Sequence, residues 1–332
     1  MKFSIGYNNM DDFIDIVEKY DTHIDEIYFS IPGMESSRPH HLFDDKAENR
    51  LHRFLRIVND QYPAIKLNLL FNGLCNFADY NSDQKTFFKK YGDIIKKYSE
   101  EYGIKATTLV SAELSYFIKK TFPHIETQTS VNLLISELKQ LSYLHYFDTI
   151  IINREINRRC NKIKKIIDNK THKVKILLNE GCIPHCVNRV QCVNRTSAQQ
   201  KLIKSGSEID FCGSRFSKNP WLCLQSPAIR PEDLKFYREL GINSWKLATR
   251  LKDTPFIDLI LDAYIKEEFV GNYFVLFESP SNFALHEQYY LNNAEIPEDF
   301  IQVVTNCEMD CYNCNFCMDL FNILAEKQPP SS

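Results

Sequence analysis

The feature that most constrains this chain is an alternation of short β-like runs with longer amphipathic stretches, sustained over most of its length. Lys2 to Gly6 reads as a strand and Met10 to Lys19 as the helix after it. Glu26 to Ile31 is a second strand, closed by Pro32-Gly33, and Lys46 to Asn59 a second helix. Ile65 to Phe71 precedes a helix over Gln84 to Tyr102. Ala106 to Val110, Ile125 to Thr129, Thr149 to Ile152 and Val174 to Leu178 follow, each set off by a helical segment. Trp245 to Ala248 makes an eighth strand, with a helix over Pro255 to Lys266. Eight strand–helix repeats predict an α/β fold, a TIM-like (β/α)8 barrel. The alternative is an open doubly wound sheet. Gly6-Tyr7-Asn8-Asn9 after the first strand is a poor nucleotide-binding turn, which favours the barrel.

The strand ends are polar in the way a barrel mouth uses. They carry Asn8 and Asn9, Ser30, Asn72, Ser111 with Glu113, Thr127 with Gln128, Asn153 to Glu155, Asn179 with Glu180, and Lys246 with Arg250. In a barrel these converge at the C-terminal face, where binding groups belong. Helix capping accounts for several of them just as simply, Ser111 followed by Glu113 among them. The expected substrate-facing set is Glu180, Asn72, Gln128, Lys246 and Arg250.

Two segments break the repeat. The connection from Glu180 to Asn243 is long for a barrel, and a tail runs on from Asn282 to Glu326 before a frayed end, 327–332. The expected organisation is a barrel over 1–281, with a cysteine-rich loop at 180–243, and a cysteine-rich extension over 282–332.

Both segments collect cysteine. Of eleven in the 332-residue chain, five lie between Cys182 and Cys223 and four between Cys307 and Cys317. The N-terminus shows no basic stretch leading into an apolar run and a small-residue cleavage site, and no run of about eighteen apolar residues occurs, so a soluble cytoplasmic protein is expected, with no membrane partner. Structural disulfides are disfavoured there, so clustered thiols point to metal.

In the first group, Cys182, Cys186, Cys212 and Cys223 are the expected ligands, with Cys192 able to substitute for any of them. Cys75 ends the third strand and points the same way. Four thiolates suit zinc or an iron–sulfur cluster. In the second group, Cys307-x3-Cys311-x2-Cys314-x2-Cys317, the two short gaps resemble the ligand triplet of ferredoxin-type clusters, but no proline-marked distal cysteine follows. The expectation is one [4Fe-4S] cluster at the first group and a second at the tail, with zinc the alternative there. His185 and His172 read as solvated residues. No His-Glu-x-x-His motif or serine nucleophile elbow is present.

Several motifs together resemble the collagenase-like peptidase U32 family. They are Asn179-Glu180-Gly181-Cys182 with Cys186 and Arg189, the Ile150 to Glu155 strand exit, and Ile229-Arg230-Pro231-Glu232-Asp233-Leu234 leading into Gly241-Ile242-Asn243-Ser244-Trp245-Lys246-Leu247-Ala248-Thr249-Arg250. The likeness spans most of Lys2 to Lys266. It implies a barrel holding a four-cysteine [4Fe-4S] cluster. By motif position Cys182, Cys186 and Cys223 match best, and Cys212 more loosely. Family members include proteins described as peptidases and others linked to oxygen-independent hydroxylation of quinone precursors or RNA bases. This chain departs at Lys246-Leu247-Ala248-Thr249-Arg250, where the family pattern is more acidic, and in its cysteine-rich tail.

Formal charge is -3, with Lys+Arg 40 against Asp+Glu 43. That balance provides no long-range pull toward nucleic acid, so a small molecule or peptide is the expected substrate, although a local basic patch would still admit a nucleic acid. Three functions remain: an iron–sulfur redox or modification enzyme served by an electron-donor protein, a non-catalytic iron–sulfur or zinc protein, and a U32-type peptidase.

Overall fold

The computed structural model describes residues 1–34, 36, 44–74, 83–198, 211–278 and 285–328. Eight parallel strands close into a barrel in sequence order: β1 (Phe3–Gly6), β2 (Ile24–Phe29), β3 (Lys66–Phe71), β4 (Ala106–Leu109), β5 (Glu126–Thr129), β6 (Thr149–Ile151), β7 (Lys173–Leu177) and β8 (Trp245–Lys246). The closing seam pairs Phe3 with Trp245 and Ser4 with Lys246. It is reinforced by Thr249, whose Oγ1 accepts from the Gly6 N–H at 2.8 Å and donates to the Gly6 carbonyl at 2.9 Å.

The outer ring is α1 (Phe13–Tyr20), α2 (Ala47–Gln61), α3 (Gln84–Tyr102), α4 (Ala112–Thr121), α5 (Cys160–Asp168) and, after the long connection, α9 (Thr254–Lys266). Local chemistry sets their ends. Asp83, Ser111 and Asp253 accept from the backbone N–H three residues on, at 2.8, 3.1 and 3.2 Å, and Gly103 ends α3 in the left-handed conformation at φ 61°. Between β5 and β6 the expected helix is absent. Two 3-10 turns, Val131–Leu133 and Leu138–Tyr143, take its place. Leu134, left-handed at φ 54°, separates them, and Glu137 with Gln140 caps the second, so the segment turns twice instead of propagating one helix.

Strand phase divides the side chains. Phe3, Ile5, Ile27, Phe29, Leu67, Leu69, Leu109, Ile150, Ile176 and Trp245 face outward into one continuous apolar core beneath the helices. The alternate residues face inward, and here the barrel is polar where branched aliphatics are usual. Lys175 Nζ bonds Ser4 Oγ at 2.8 Å, Glu26 Oε1 at 3.1 Å and Gln128 Oε1 at 3.2 Å. Gln128 Nε2 donates to Glu26 and, at 3.0 Å, to Glu126, which also pairs with Lys66 at 2.6 Å. Thr108 donates to Asn68 at 3.1 Å.

The connection after β7 holds α6 (Arg189–Ala198), α7 (Phe211–Lys218), a 3-10 turn over Pro220–Gln225 and α8 (Leu234–Glu239). The C-terminal segment carries α10 (Leu285–Gln288), β9 (Tyr289–Leu291), α11 (Phe300–Thr305), α12 (Phe316–Leu324) and β10 (Ala325–Lys327), with β9 and β10 antiparallel. Phe300, Leu320 and Phe321 join the barrel's own apolar core, and Arg158 and Arg230 lie over the Phe300 ring at 5.7 and 5.3 Å. The fraying expected over 327–332 does not begin at 327: Lys327 of β10 pairs with Tyr289, and the Gln328 N–H donates to the Gln288 carbonyl at 2.8 Å. Residues 329–332, the expected boundary at 281/282 and Cys75 lie outside the described residues.

Candidate active site at the barrel mouth

The mouth is built on a missing side chain. Gly6 ends β1, and a Cβ there would stand 2.3 Å from Arg250 Cγ and 2.8 Å from the Tyr28 ring. Glycine lets both side chains close over the strand end. Tyr28 donates to the Leu247 carbonyl at 2.6 Å, which fixes its ring, and two cations lie against that ring. Lys246 Nζ is 3.4 Å from the centroid and the Arg250 guanidinium 5.7 Å. Arg250 also donates to Ser30 Oγ at 3.2 Å.

Burial pushes the Lys246 ammonium well below its ordinary pKa; Glu26 opposes the shift, while Lys175 and Arg250 add to it. Burial likewise pushes the Tyr28 phenol up, so it stays protonated and keeps donating. Glu26 and Glu278 lie within electrostatic reach of the Tyr28 ring from below and beside this corner.

A second corner forms at the β7 exit. Asn179 clamps β7 to β8, its Nδ2 donating to the Ala248 carbonyl at 2.9 Å and its Oδ1 accepting from the Ala248 N–H at 2.7 Å. The next residue, Glu180, pairs with Arg154 from the β6 exit and accepts from the Cys182 thiol at 3.1 Å. Burial opposes the Arg154 charge, but Cys182 and Glu180 beside it outweigh burial and raise its pKa. His185, left-handed at φ 53°, turns the loop between Cys182 and Cys186. Its ring touches Glu155 at 3.5 Å and Met309 Sδ, in the C-terminal segment, at 3.2 Å.

The expected site residues are therefore distributed. Lys246 and Arg250 share one corner, and Glu180 with Cys182 the other. Asn72 is buried at the β3 exit, where its carbonyl accepts from Asn132 at 3.3 Å. Gln128 sits a layer deeper, in the interior network. Cys186 and Cys212 are half-buried, Cys192 is exposed on α6, and Cys223 is fully buried within electrostatic reach of Cys317 and Arg158. Cys307 and Cys317 are half-buried, whereas Cys311 and Cys314 are exposed. Among the described residues no three His, Cys, Asp or Glu side chains converge on a point that would hold a metal ion. Tyr28 is the mouth residue that sequence reading did not single out, while Arg154 was named only within the Asn153 to Glu155 strand end and not in the expected substrate-facing set. Their signal is weak: Tyr28 shares the inward phase of Glu26, and Arg154 stands in an ordinary strand-exit turn.

No helix among the described residues is long and apolar enough to cross a membrane. No family model matches the sequence. An uncharacterized protease of Methanocaldococcus jannaschii, MJ1657, is 33% identical over 174 residues, which is 52% of this chain and 51% of that protein. The chain thus spans about half the length of the curated relative it matches. Among solved structures, that of the U32 peptidase Mk0906 superposes with a TM-score of 0.56 at 9% identity, covering 75% of this chain and 92% of that one. At that identity the superposition speaks for the fold. In its motifs and its barrel, the chain resembles the U32 peptidase family.

Proposed function

We propose that this chain is an enzyme of the U32 peptidase type, with a peptide or small-molecule substrate bound at the barrel mouth through an anionic group. The observation that carries this reading is the placement of Lys246 and Arg250 against one fixed ring at the open end. A substrate carboxylate arriving there would favour the charged form of Lys246, against the burial that disfavours it, and accept from the Arg250 fork. Glu180 already accepts from the Cys182 thiol, and Arg154 steadies that carboxylate. In a hydrolytic reaction Glu180 would take the Cys182 thiol proton as the sulfur attacks the scissile carbonyl, and would return it to the departing amine. Water would then release the acyl group from the sulfur as a carboxylate and regenerate the thiol. The relative in M. jannaschii carries the word protease in its name, which is consistent with hydrolysis.

A second reading is favoured by the thiols themselves. Cys182 and Cys186 share one turn, with the Arg154 guanidinium placed to offset thiolate charge, a donor set suited to a [4Fe-4S] cluster. Cys182, Cys186 and Cys212 would hold it, with Cys223 or Cys192 as the fourth. A bound cluster supplies one-electron chemistry, fed by an electron-donor protein and applied to oxygen-independent hydroxylation or a related modification. The residues of this chain would then bind and orient the substrate, Arg250 and Lys246 at its anionic end. Without turnover, the same thiols would make an electron carrier or a structural zinc protein.

The test is one anaerobic preparation. Iron, sulfide and zinc are measured beside EPR spectra before and after dithionite, and peptide hydrolysis is assayed with the parent, Cys182→Ser and Arg250→Met. Hydrolysis lost in both variants, with metal content unchanged by Cys182→Ser, supports the peptidase. Iron and sulfide at about four per chain, lost in Cys182→Ser, support the cluster enzyme. Zinc alone, with no hydrolysis, would sink both.

A further inference from the structure

The mouth reading leaves the tail cysteines without a task. We propose that Cys307, Cys311, Cys314 and Cys317 form a second, separate tetrathiolate centre for a thiophilic metal, zinc or an iron–sulfur cluster, with Arg158 as its buried charge partner. Four thiols within eleven residues supply a full ligand set from one segment, so the site needs no long-range assembly.

The local backbone is shaped for it. Met309, left-handed at φ 63°, reverses the chain between Cys307 and Cys311, and its N–H donates to Cys307 Sγ at 3.3 Å. A thiol sulfur is a weak acceptor, and a metal-bound thiolate is a far better one; backbone donors aimed at sulfur stabilise that charged form. The turn then closes on the Asp310 carbonyl, which accepts from Asn313 at 3.2 Å and Cys314 at 3.0 Å. Cys317 emerges in the first turn of α12. Arg159 holds the loop to the barrel, its Nη1 donating to the Cys307 carbonyl at 2.7 Å.

The independent observation is Arg158. Its side chain is buried, 6% exposed, and its Nε and Nη2 have no hydrogen-bond partner. It lies over Phe300 and within electrostatic reach of Cys223, Cys311 and Cys317. A buried guanidinium with unused donors is costly unless an anion stands beside it. Four thiolates around a divalent zinc or a [4Fe-4S] core of charge +2 leave a net negative centre, which is the missing anion. The thiols do not converge as placed. Cys311 and Cys314 are the exposed pair, and the centre forms only if their side chains turn inward toward Cys307 and Cys317.

The centre is independent of the mouth reading and is tested separately from it. The full chain is purified without oxygen as parent, Cys311→Ser/Cys314→Ser and Cys182→Ser/Cys186→Ser, and zinc, iron and sulfide are counted. The tail variant, altered only at exposed positions, is expected to lose about one zinc or about four irons with their sulfide, and the mouth variant to keep them. Zinc loss and iron–sulfide loss identify which metal it is. Metal-stripped parent titrated with Co2+ should develop thiolate-to-cobalt charge-transfer absorption that the tail variant lacks. Arg158→Met should release its metal to a chelator roughly 10–100-fold faster, as loss of an outer-shell partner does. Equal metal content in parent and tail variant, with equal cobalt spectra, overturns the proposal.

Discussion

Lys175 and Glu26 meet inside the barrel, Nζ to Oε1 at 3.1 Å, with neither side chain more than 3% exposed. Burial pushes the Glu26 carboxyl up, but Lys175, Lys246, Lys66 and Gln128 outweigh it and hold the pKa at about 2, below the ordinary 4.5. A depressed carboxylate stabilises the fold fully above its unfolded value and loses that contribution as pH falls from 4.5 toward about 2. Glu26→Gln should cost about 3–5 kcal/mol at neutral pH, because it strands the Lys175 charge. The cost should shrink through that acid window, and Lys175→Met should restore part of it in the double variant. Urea melts of the three proteins at several pH values check this; a pH-independent cost would sink it.

Gly6→Ala tests whether the mouth is as tight as it looks. The new methyl must displace Arg250 Cγ and the Tyr28 ring, neither a freely swinging chain end. A loss of about 1–3 kcal/mol is expected, typical of overpacking. Denaturant unfolding measures it, and a melt indistinguishable from the parent would mean that Tyr28 and Arg250 pack loosely.

Lys246→Met separates stability from function. The depressed Lys246 pKa means that its charge is disfavoured in the fold; that penalty is full below the folded pKa and vanishes as pH rises to the ordinary 10.5. The variant should therefore be more stable at neutral pH, by roughly 0.5–2 kcal/mol, with the gain fading in alkali. It should also bind its substrate less well. A variant that melts lower at neutral pH would show that Lys246 supports the interior network more than burial penalises it.

Arg250→Lys keeps the charge and removes the planar fork that reaches Ser30. A charged hydrogen bond is worth about 1.5–3 kcal/mol, so kcat/KM should fall by roughly 10–100-fold, mostly through KM. An unchanged KM would remove Arg250 from substrate binding.

Thiol reactivity should follow burial in the metal-stripped chain. Burial raises the Cys223 pKa well above its ordinary value and pushes Cys317 up to about 11. Brief iodoacetamide exposure followed by mass spectrometry should label the exposed Cys314 before either. Early labelling of Cys223 would mean that the Pro220–Gln225 turn opens readily.

Much of the barrel was legible because strand phase is a local property. Runs such as Lys-Leu-Asn-Leu-Leu-Phe at β3 announce themselves by their outward apolar residues, and the eight strands fall within about two residues of the expected positions. What escaped depends on depth or distance. Gln128 reads as a strand-end polar residue, yet it stands one layer below the mouth. Tyr28 looks like one more core aromatic until Gly6 and the two cations are seen around it. Cys223 belongs to the long loop in sequence but lies beside Cys317, because α12 packs on the 3-10 turn that carries it. The β5–β6 segment misled for a different reason: its caps are strong enough to start turns and too closely spaced to extend a helix.

The charged layer of Glu26, Gln128 and Lys175 also floors the barrel, making it a cup and not a tube. Nothing can be threaded through it from below. A long polymer could offer only an end or a looped-out residue to the mouth, and whatever enters there must leave by the same opening, so crowding at that rim would throttle entry and exit alike.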